Sequence, residues 1–359
     1  MDKRKFIGLA GAAAAVGAVG APSSAHAQPA QVYKWRMATS WVQGTPLLEH
    51  CALRFAENVK KMSAGRLDIQ VDAANKHKSP LGIFDFVRSG DAYEMGHTAS
   101  YYYKGKDPAT TLFTTVPFGM TGYEQNGWFY YGGGLAMMQK VYAKHGIAIF
   151  NVGNTQVQMG GWFRKEIKSL ADLKGLKMRI PGLAGEVIEK VGVTPVSIPG
   201  GELYTALERG TIDAVEWINP YNDLKMGFQR IAKFYYTGWH EPGAEIQVMV
   251  NKAKFDALPD DLKAIIAVAA KEASMDMMAE SVYMNSQDWE VLVKEDKIQV
   301  KTFPPDVIAA LKKATQEALA ELAAKSGECK EIIASQTAYL AKAREWTRHS
   351  EGAYLVTRG

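Results

Sequence analysis

Two twelve-residue stretches, one in each half of the chain, share a single pattern. They are Phe84-Asp85-Phe86-Val87-Arg88-Ser89-Gly90-Asp91-Ala92-Tyr93-Glu94-Met95 and Tyr204-Thr205-Ala206-Leu207-Glu208-Arg209-Gly210-Thr211-Ile212-Asp213-Ala214-Val215. Each reads as a short helix, a glycine at the same offset, then a strand. A glycine just past a helix takes the left-handed conformation that stops the helix and satisfies its last carbonyls. The chain is thereby turned directly from a helix into a sheet, once in each half. Such a joint used twice predicts two similar α/β lobes with a cleft between them. A length of 359 residues suffices to build both.

The neighbouring segments support an α/β class. Tyr33 to Ala38 reads as a first strand, followed by a loop from Ser40 to Gly44. Thr45 is placed to cap a helix with Pro46 at its first position. Leu47, Leu48, Cys51, Ala52, Phe55, Val59 and Met62 then recur at helical spacing until Gly65. Leu67, Ile69 and Val71 alternate as in a half-buried strand. Strands alternating with helices imply parallel βα units.

The second lobe begins near Gln158. There Ser169-Leu170-Ala171-Asp172 resembles a capping box closed at Gly175, and Lys177 to Ile180 is a strand stopped by Pro181-Gly182. A helix from Ala184 to Val191 and a strand from Thr194 to Ile198 follow. Pro259 to about Glu295 is a long helical run, and from Pro305 an apolar stripe passes through Val307, Ile308, Leu311, Ala314, Ala318, Leu319 and Leu322. Another helical stretch runs from Glu331 to Trp346. These late helices are too long for ordinary crossovers and either brace both lobes or carry a dimer contact. The expected division is residues 31–156 plus about 245–284 for one lobe, about 157–244 plus 285–330 for the other, and 331–359 as a C-terminal helix.

Residues 1–27 read as a secretory signal peptide. Lys3-Arg4-Lys5 is its basic start, Phe6 to Ala21 its apolar stretch and Ala25-His26-Ala27 its cleavage site. That stretch is short for a membrane span, so export and cleavage near Ala27 are expected. Removal of this leader brings the formal charge from +4 to about +2. With no basic stripe, a nucleic-acid partner is excluded. An apolar fraction of 47% and a charged fraction of 22% exclude disordered, collagenous and coiled-coil classes. Cys51 and Cys329 are too few for a disulfide framework or a structural zinc site, and whether they pair is left open. The chain has no His-Glu-x-x-His, no Gly-x-Ser-x-Gly and no P-loop, and Gly132-Gly133-Gly134 lacks a nucleophile elbow to serve. His97 and His240 read as structural. The expectation is a binding protein and not an enzyme.

Ligands of doubly wound sheets meet the carboxyl ends of the strands. Arg179 and the pair Glu216-Trp217 stand at such ends. A guanidinium offers a planar fork that grips a carboxylate by two parallel hydrogen bonds. Three segments carry a family resemblance. Leu173-Lys174-Gly175-Leu176-Lys177-Met178-Arg179-Ile180-Pro181-Gly182 and Gly210-Thr211-Ile212-Asp213-Ala214-Val215-Glu216-Trp217, with the export signal, resemble the substrate-binding subunit of a TRAP (tripartite ATP-independent periplasmic) transporter. Gln158-Met159-Gly160-Gly161-Trp162-Phe163, Val116-Pro117-Phe118-Gly119 and Glu94-Met95-Gly96-His97-Thr98-Ala99-Ser100-Tyr101-Tyr102 resemble its branch that binds 2-oxo acids such as pyruvate. The resemblance spans the whole mature chain.

It implies a two-lobed periplasmic binding protein fold with hinge strands and long C-terminal helices, closing over a small carboxylate. Arg179 would grip that carboxylate, and Gln158, Glu216 and the Trp217 carbonyl would hold a cation, with Glu241 as a further ligand. Tyr101, Tyr102, Trp217 and Phe118 would supply an apolar wall and a hydroxyl donor. The expected cation is Na⁺, which balances the site if Glu216 alone is ionised, with Ca²⁺ as the alternative that balances better if Glu241 is ionised too. The implied partners are the membrane subunits of the transporter, which take the ligand up on an ion gradient, with homodimerisation through the C-terminal helix compatible. A calcium-dependent receptor for lactate or another 2-hydroxy acid is the alternative within the family. An exported enzyme acting on a 2-oxo acid, or a module serving a signalling partner, is the alternative outside it.

Overall fold

A computed structural model of the chain describes residues 31–295 and 297–359, so the expected signal peptide lies outside the described residues. In chain order the first elements are β1 (Tyr33–Thr39), α1 (Leu48–Met62), β2 (Leu67–Asp72), α2 (Ala74–His77), α3 (Ile83–Ser89), β3 (Met95–Thr98), α4 (Gly122–Tyr131), α5 (Gly134–Ala143) and β4 (Ile147–Asn154). Next come β5 (Gly161–Phe163), β6 (Lys177–Arg179), α6 (Gly182–Lys190), β7 (Thr194–Val196), α7 (Leu203–Glu208), β8 (Ala214–Val215), α8 (Pro220–Met226) and β9 (Phe234–Tyr236). The chain ends with β10 (Glu245–Asn251), α9 (Lys252–Asp256), α10 (Asp260–Glu290), β11 (Gln299–Lys301), α11 (Pro305–Lys325), α12 (Gly327–His349) and α13 (Glu351–Arg358).

The strands form two sheets of one plan. The first has the order β2-β1-β3-β10-β4, and the second, read outward from β7, the order β7-β6-β8-β5-β9-β11. In each sheet the third strand of a parallel trio meets one antiparallel strand, β10 in the first and β5 in the second. The repeated sequence accounts for that third strand. Gly90 (φ 69°) turns α3 toward β3, and Gly210 (φ 71°) turns α7 toward β8. The chain passes between the sheets at residues 155–160 and 237–244, and a third time by way of α10. Each antiparallel strand is the first laid down after one of these passages. β10 lies between two neighbours, and all seven of its residues are buried.

One apolar cluster runs from Met37, Phe55 and Val248 to Trp162 and Tyr235, whose rings stack at 3.9 Å. Asp223 anchors the second sheet from below by accepting from Trp162 Nε1 (3.0 Å), the Tyr235 hydroxyl (2.7 Å) and the Ile218 amide (3.1 Å). A second cluster, with Phe84, Trp128 and Ile149, is closed by Ile332 of α12. A third, with Phe163, Val187 and Tyr236, is closed by Val307, Leu311 and Ala318 of α11. The Val307 stripe is therefore occupied within the molecule, as the bracing alternative requires. α10 is about 46 Å long at 1.5 Å per residue. It packs against α1 and β4 on the first sheet and against α8 on the second.

Three boundaries differ from expectation. Thr45 does not cap α1: its hydroxyl donates to the Val42 carbonyl (2.7 Å), and the helix starts at Leu48 after Leu47 takes a positive φ of 57°. Pro46 thus belongs to the turn, which seats Leu47 and Leu48 in the core. The expected lobe boundary at 284/285 falls within the unbroken helix α10. The C-terminal helix begins at Gly327, where the Ser326 hydroxyl accepts from the Cys329 amide, and it breaks at Ser350 before α13.

Both cysteines are free and buried, Cys51 donating to the Val152 carbonyl and Cys329 packing in the α12 cluster. Burial pushes both thiols up from their ordinary range, and the thiolate is the reactive form. The native protein should therefore leave a thiol reagent such as DTNB unreduced over minutes. Two equivalents should react after denaturation without reductant; none would mean that the two are joined.

Candidate functional site

The site is built where β6 and β8 end. The strands are parallel neighbours with Arg179 opposite Val215, so Arg179 and Glu216 emerge side by side. The Glu216 amide donates to the Arg179 carbonyl at 2.9 Å. Pro181 then stops β6, since it has no N–H to continue the ladder. The Arg179 guanidinium is fixed by its own surroundings. Nη1 donates to the Glu216 carbonyl (2.5 Å) and lies 3.3 Å from Glu216 Oε2, Nε donates to the Ile198 carbonyl (3.4 Å), and the Trp217 ring lies 5.2 Å from Cζ. Arg179 and Glu216 are 2% and 0% exposed. With Nε and Nη1 engaged, the planar guanidinium keeps its Nη2 N–H groups oriented for an incoming anion.

The two passages between the sheets bring in the next groups. The Gln158 amide, in the first passage, donates to the Glu241 carbonyl in the second (2.9 Å), and the Thr155 amide donates to the Ala244 carbonyl (3.1 Å). Gln158 Nε2 donates to the Thr155 hydroxyl (2.9 Å), which leaves its carbonyl oxygen as the free end of the side chain. Glu241 and its neighbour His240 stand with Glu216 so that one ligand atom of each lies within 4.8 Å of the others. His240 Nε2 is 3.4 Å from Glu216 Oε1.

These groups are buried and short of partners. Glu216 Oε1, both Glu241 oxygens and both His240 nitrogens have no hydrogen-bond partner, and neither does Trp217 Nε1. Burial, partly offset by Arg179, pushes the Glu216 carboxyl well above its usual range. Burial and the neighbouring Glu216 push Glu241 up to about 8. Burial pulls His240 down to about 4, so at neutral pH it is uncharged and its contact with Glu216 is no ion pair. Orphaned carboxylates of this kind cost several kcal/mol each unless a cation meets them. The two carboxylates of this cluster fit a hard cation of the sodium or calcium type, and Glu216 and Glu241 would hold it.

The first sheet contributes Tyr101 and Tyr102, in the 3₁₀ turn that follows β3. Their rings meet edge to face at 4.8 Å. Tyr101 also lies against Gly182, where a Cβ would come within 2.9 Å of its ring. Burial, then Glu241, pushes the Tyr101 hydroxyl well above its usual range, which keeps it a hydrogen-bond donor. The structure thus brings together Gln158, Arg179, Glu216, Trp217, Glu241, Tyr101 and Tyr102.

Phe118 does not join them. It lies behind the second passage, its amide donating to the Trp239 carbonyl (3.0 Å) and its ring 5.7 Å from that of Trp239. There it lines a separate cavity of about 860 Å³ against α11 and α12, with Lys312 near its ring and Arg344 donating to its carbonyl. Its place in the ligand wall is corrected accordingly. His240 is the residue that sequence reasoning missed as a site member. The only signal was its position beside Glu241. In a strand that position would have turned it away, but residues 237–244 bend instead.

The chain is similar to known proteins over most of its length. The pattern of the bacterial extracellular solute-binding protein family 7 (DctP) matches residues 37–326. A monocarboxylate 2-oxoacid-binding periplasmic protein of Nostoc is 40% identical over 322 residues, covering 89% of this chain and 88% of its own. A TRAP periplasmic solute-binding protein of Pseudoalteromonas atlantica, solved with sodium and pyruvate, is 53% identical with a TM-score of 0.89, over 90% of this chain and 99% of its own. Its counterpart from Colwellia psychrerythraea, solved with calcium and pyruvate, is 52% identical with a TM-score of 0.89, over 91% and 100%.

The raised Glu241 carboxyl has a consequence for stability. Held at about 8 against 4.5 in the unfolded chain, it costs nothing below pH 4.5, and its cost grows as pH rises to 8. Cation-free protein should lose on the order of 4 kcal/mol across that window through this group. Denaturant melts at pH 5 and pH 8 in chelator, compared between wild type and Glu241→Gln, isolate it from Glu216 and Glu245. Equal losses in the two proteins would show that Glu241 carries no such cost.

Proposed function

The chain belongs to the bacterial extracellular solute-binding protein family 7, receptors and not enzymes, and from that premise we propose that it is the periplasmic receptor of a TRAP transporter for a small 2-oxo monocarboxylate such as pyruvate. The observation that carries this reading is a buried guanidinium beside two buried carboxylates, Glu241 with neither oxygen partnered and Glu216 with one oxygen unpartnered, at the junction of two sheets. Arg179 takes the ligand carboxylate on its free N–H edge. Gln158, Glu216, the Trp217 carbonyl and Glu241 hold the cation, which supplies a positive charge against which the carboxylate and 2-oxygen of the ligand rest. Tyr101 and Tyr102 close the pocket from the first sheet, Tyr101 with its hydroxyl as a donor.

The two sheets and their helices are the two lobes, with residues 155–160 and 237–244 as hinge segments. Ligand draws groups of both lobes together and so favours the closed state. The membrane subunits recognise that state and take the ligand up on an ion gradient. The signal peptide, cleaved near Ala27, delivers the chain to the periplasm. The exposed end of α12 and α13, with Trp346 72% and Val356 85% exposed, provides the homodimer contact.

Charge decides the ion. Arg179 cancels the ligand, so Na⁺ balances the site when only one of Glu216 and Glu241 is ionised. When both are ionised, Ca²⁺ balances it, which is the calcium-dependent alternative with lactate or another 2-hydroxy acid; burial of Glu241 without partners favours the singly ionised Na⁺ form.

Calorimetry on protein refolded from denaturant in chelated, sodium-free buffer tests the reading. Pyruvate, 2-oxobutyrate and lactate should be titrated with no metal, with Na⁺ and with Ca²⁺. Cation-dependent binding of at least one is expected, and no binding under any condition would sink the assignment. Arg179→Ala should weaken it at least about 100-fold, and Arg179→Lys nearly as much, because a point charge cannot replace the fork. Unchanged affinity in Arg179→Lys would place the carboxylate elsewhere.

A further inference from the structure

The Trp217 indole is held between two unlike neighbours. On one side lies the Arg179 guanidinium, with Cζ 5.2 Å from the ring. On the other lies Gly200, in the Pro199-Gly200-Gly201 turn that joins β7 to α7. A Cβ at Gly200 would stand 2.3 Å from Trp217 Cη2, 2.9 Å from Cζ3 and 3.0 Å from Cζ2. No real side chain tolerates that approach, so the benzo edge of the indole occupies the volume a side chain would fill. The φ of Gly200 is not in the left-handed region, so its backbone alone does not call for glycine. The requirement is one of space. Trp217 is only 7% exposed and has the Arg179 guanidinium as a near neighbour, so a ring moved off Gly200 presses toward the guanidinium.

We propose that Gly200 sets the length of 2-oxo acid the site accepts, by fixing how far the Trp217 indole withdraws from the space beside Arg179. This rests on the receptor reading above and adds a residue that itself touches no ligand. Gly200 is therefore a positioning residue. A methyl there drives the indole inward and shortens the pocket. Removal of the benzo ring lengthens it. One methylene of ligand in an apolar pocket is worth roughly tenfold or more in affinity, so the effect falls on the longer acids first.

The test is calorimetric titration of wild type, Gly200→Ala and Trp217→Phe with pyruvate, 2-oxobutyrate and 2-oxopentanoate in saturating cation. In Gly200→Ala, pyruvate should stay within about threefold of wild type while 2-oxopentanoate weakens by about tenfold or more. In Trp217→Phe, the ratio of 2-oxopentanoate to pyruvate affinity should move the opposite way, even if both constants fall. Equal weakening of all three acids in Gly200→Ala, or a ratio within twofold of wild type in either variant, would overturn the proposal. Should Gly200→Ala fail to fold, the direction of the Trp217→Phe ratio alone decides. Wild-type protein that binds none of the three acids overturns the receptor reading itself, and this proposal with it.

Discussion

A positive and a negative charge, both taken out of water, sit side by side at the ends of β6 and β8, and the rest of the molecule is arranged around them. Arg179 and Glu216 lie 3.3 Å apart with almost no exposure. Such a pair is a poor source of stability, because desolvation offsets much of the attraction. Its value lies in geometry: Nη1 and Nε of the guanidinium are fixed by Glu216 and the Ile198 carbonyl, which sets the direction of Nη2. A second carboxylate, Glu241, gives the cluster a net charge of −1 when both acids are ionised. A monovalent cation alone would neutralise that charge, whereas a divalent cation would do so only together with one anionic ligand.

The architecture determines which groups can reach that cluster. Arg179 and Glu216 belong to the second sheet, Tyr101 and Tyr102 to the first, and Gln158 and Glu241 to the two passages between them. The passages are tied by main-chain bonds from Gln158 to Glu241 and from Thr155 to Ala244. Any rotation of one sheet against the other therefore turns about segments that themselves carry ligand groups. Binding and hinge position are read from the same few residues.

Much of this was legible in the sequence, and the failures have physical causes. The repeated helix–glycine–strand joint placed β3 and β8 because Gly90 and Gly210 mark a left-handed stop that few other residues can make. Arg179 and Glu216 stood out because strand ends in parallel sheets are where ligands meet. The start of α1 was misplaced because Thr45 and Pro46 have the composition of a cap while the tertiary fit of Leu47 imposed a turn. Phe118 was assigned to the site from the resemblance of its segment, yet Trp239 stands between it and the charges, a matter of layering that no local pattern records. His240 was passed over because strand alternation excludes adjacent residues from one face, and the bend at 239–240 suspends that rule.

The position of β10 has a consequence for how the protein comes into being. This wholly buried strand lies between β3 and β4, yet it is encoded after the entire run from β5 to β9. A growing chain that has finished β4 therefore holds a sheet with a gap at its middle, and the gap stays open for roughly ninety further residues. β11 then completes only the edge of the second sheet, beside β9. The first sheet cannot be completed by any stretch of chain that ends before β10. Pairing over such sequence separations is slow. A chain that completes its folding late has time to be carried elsewhere before it does so.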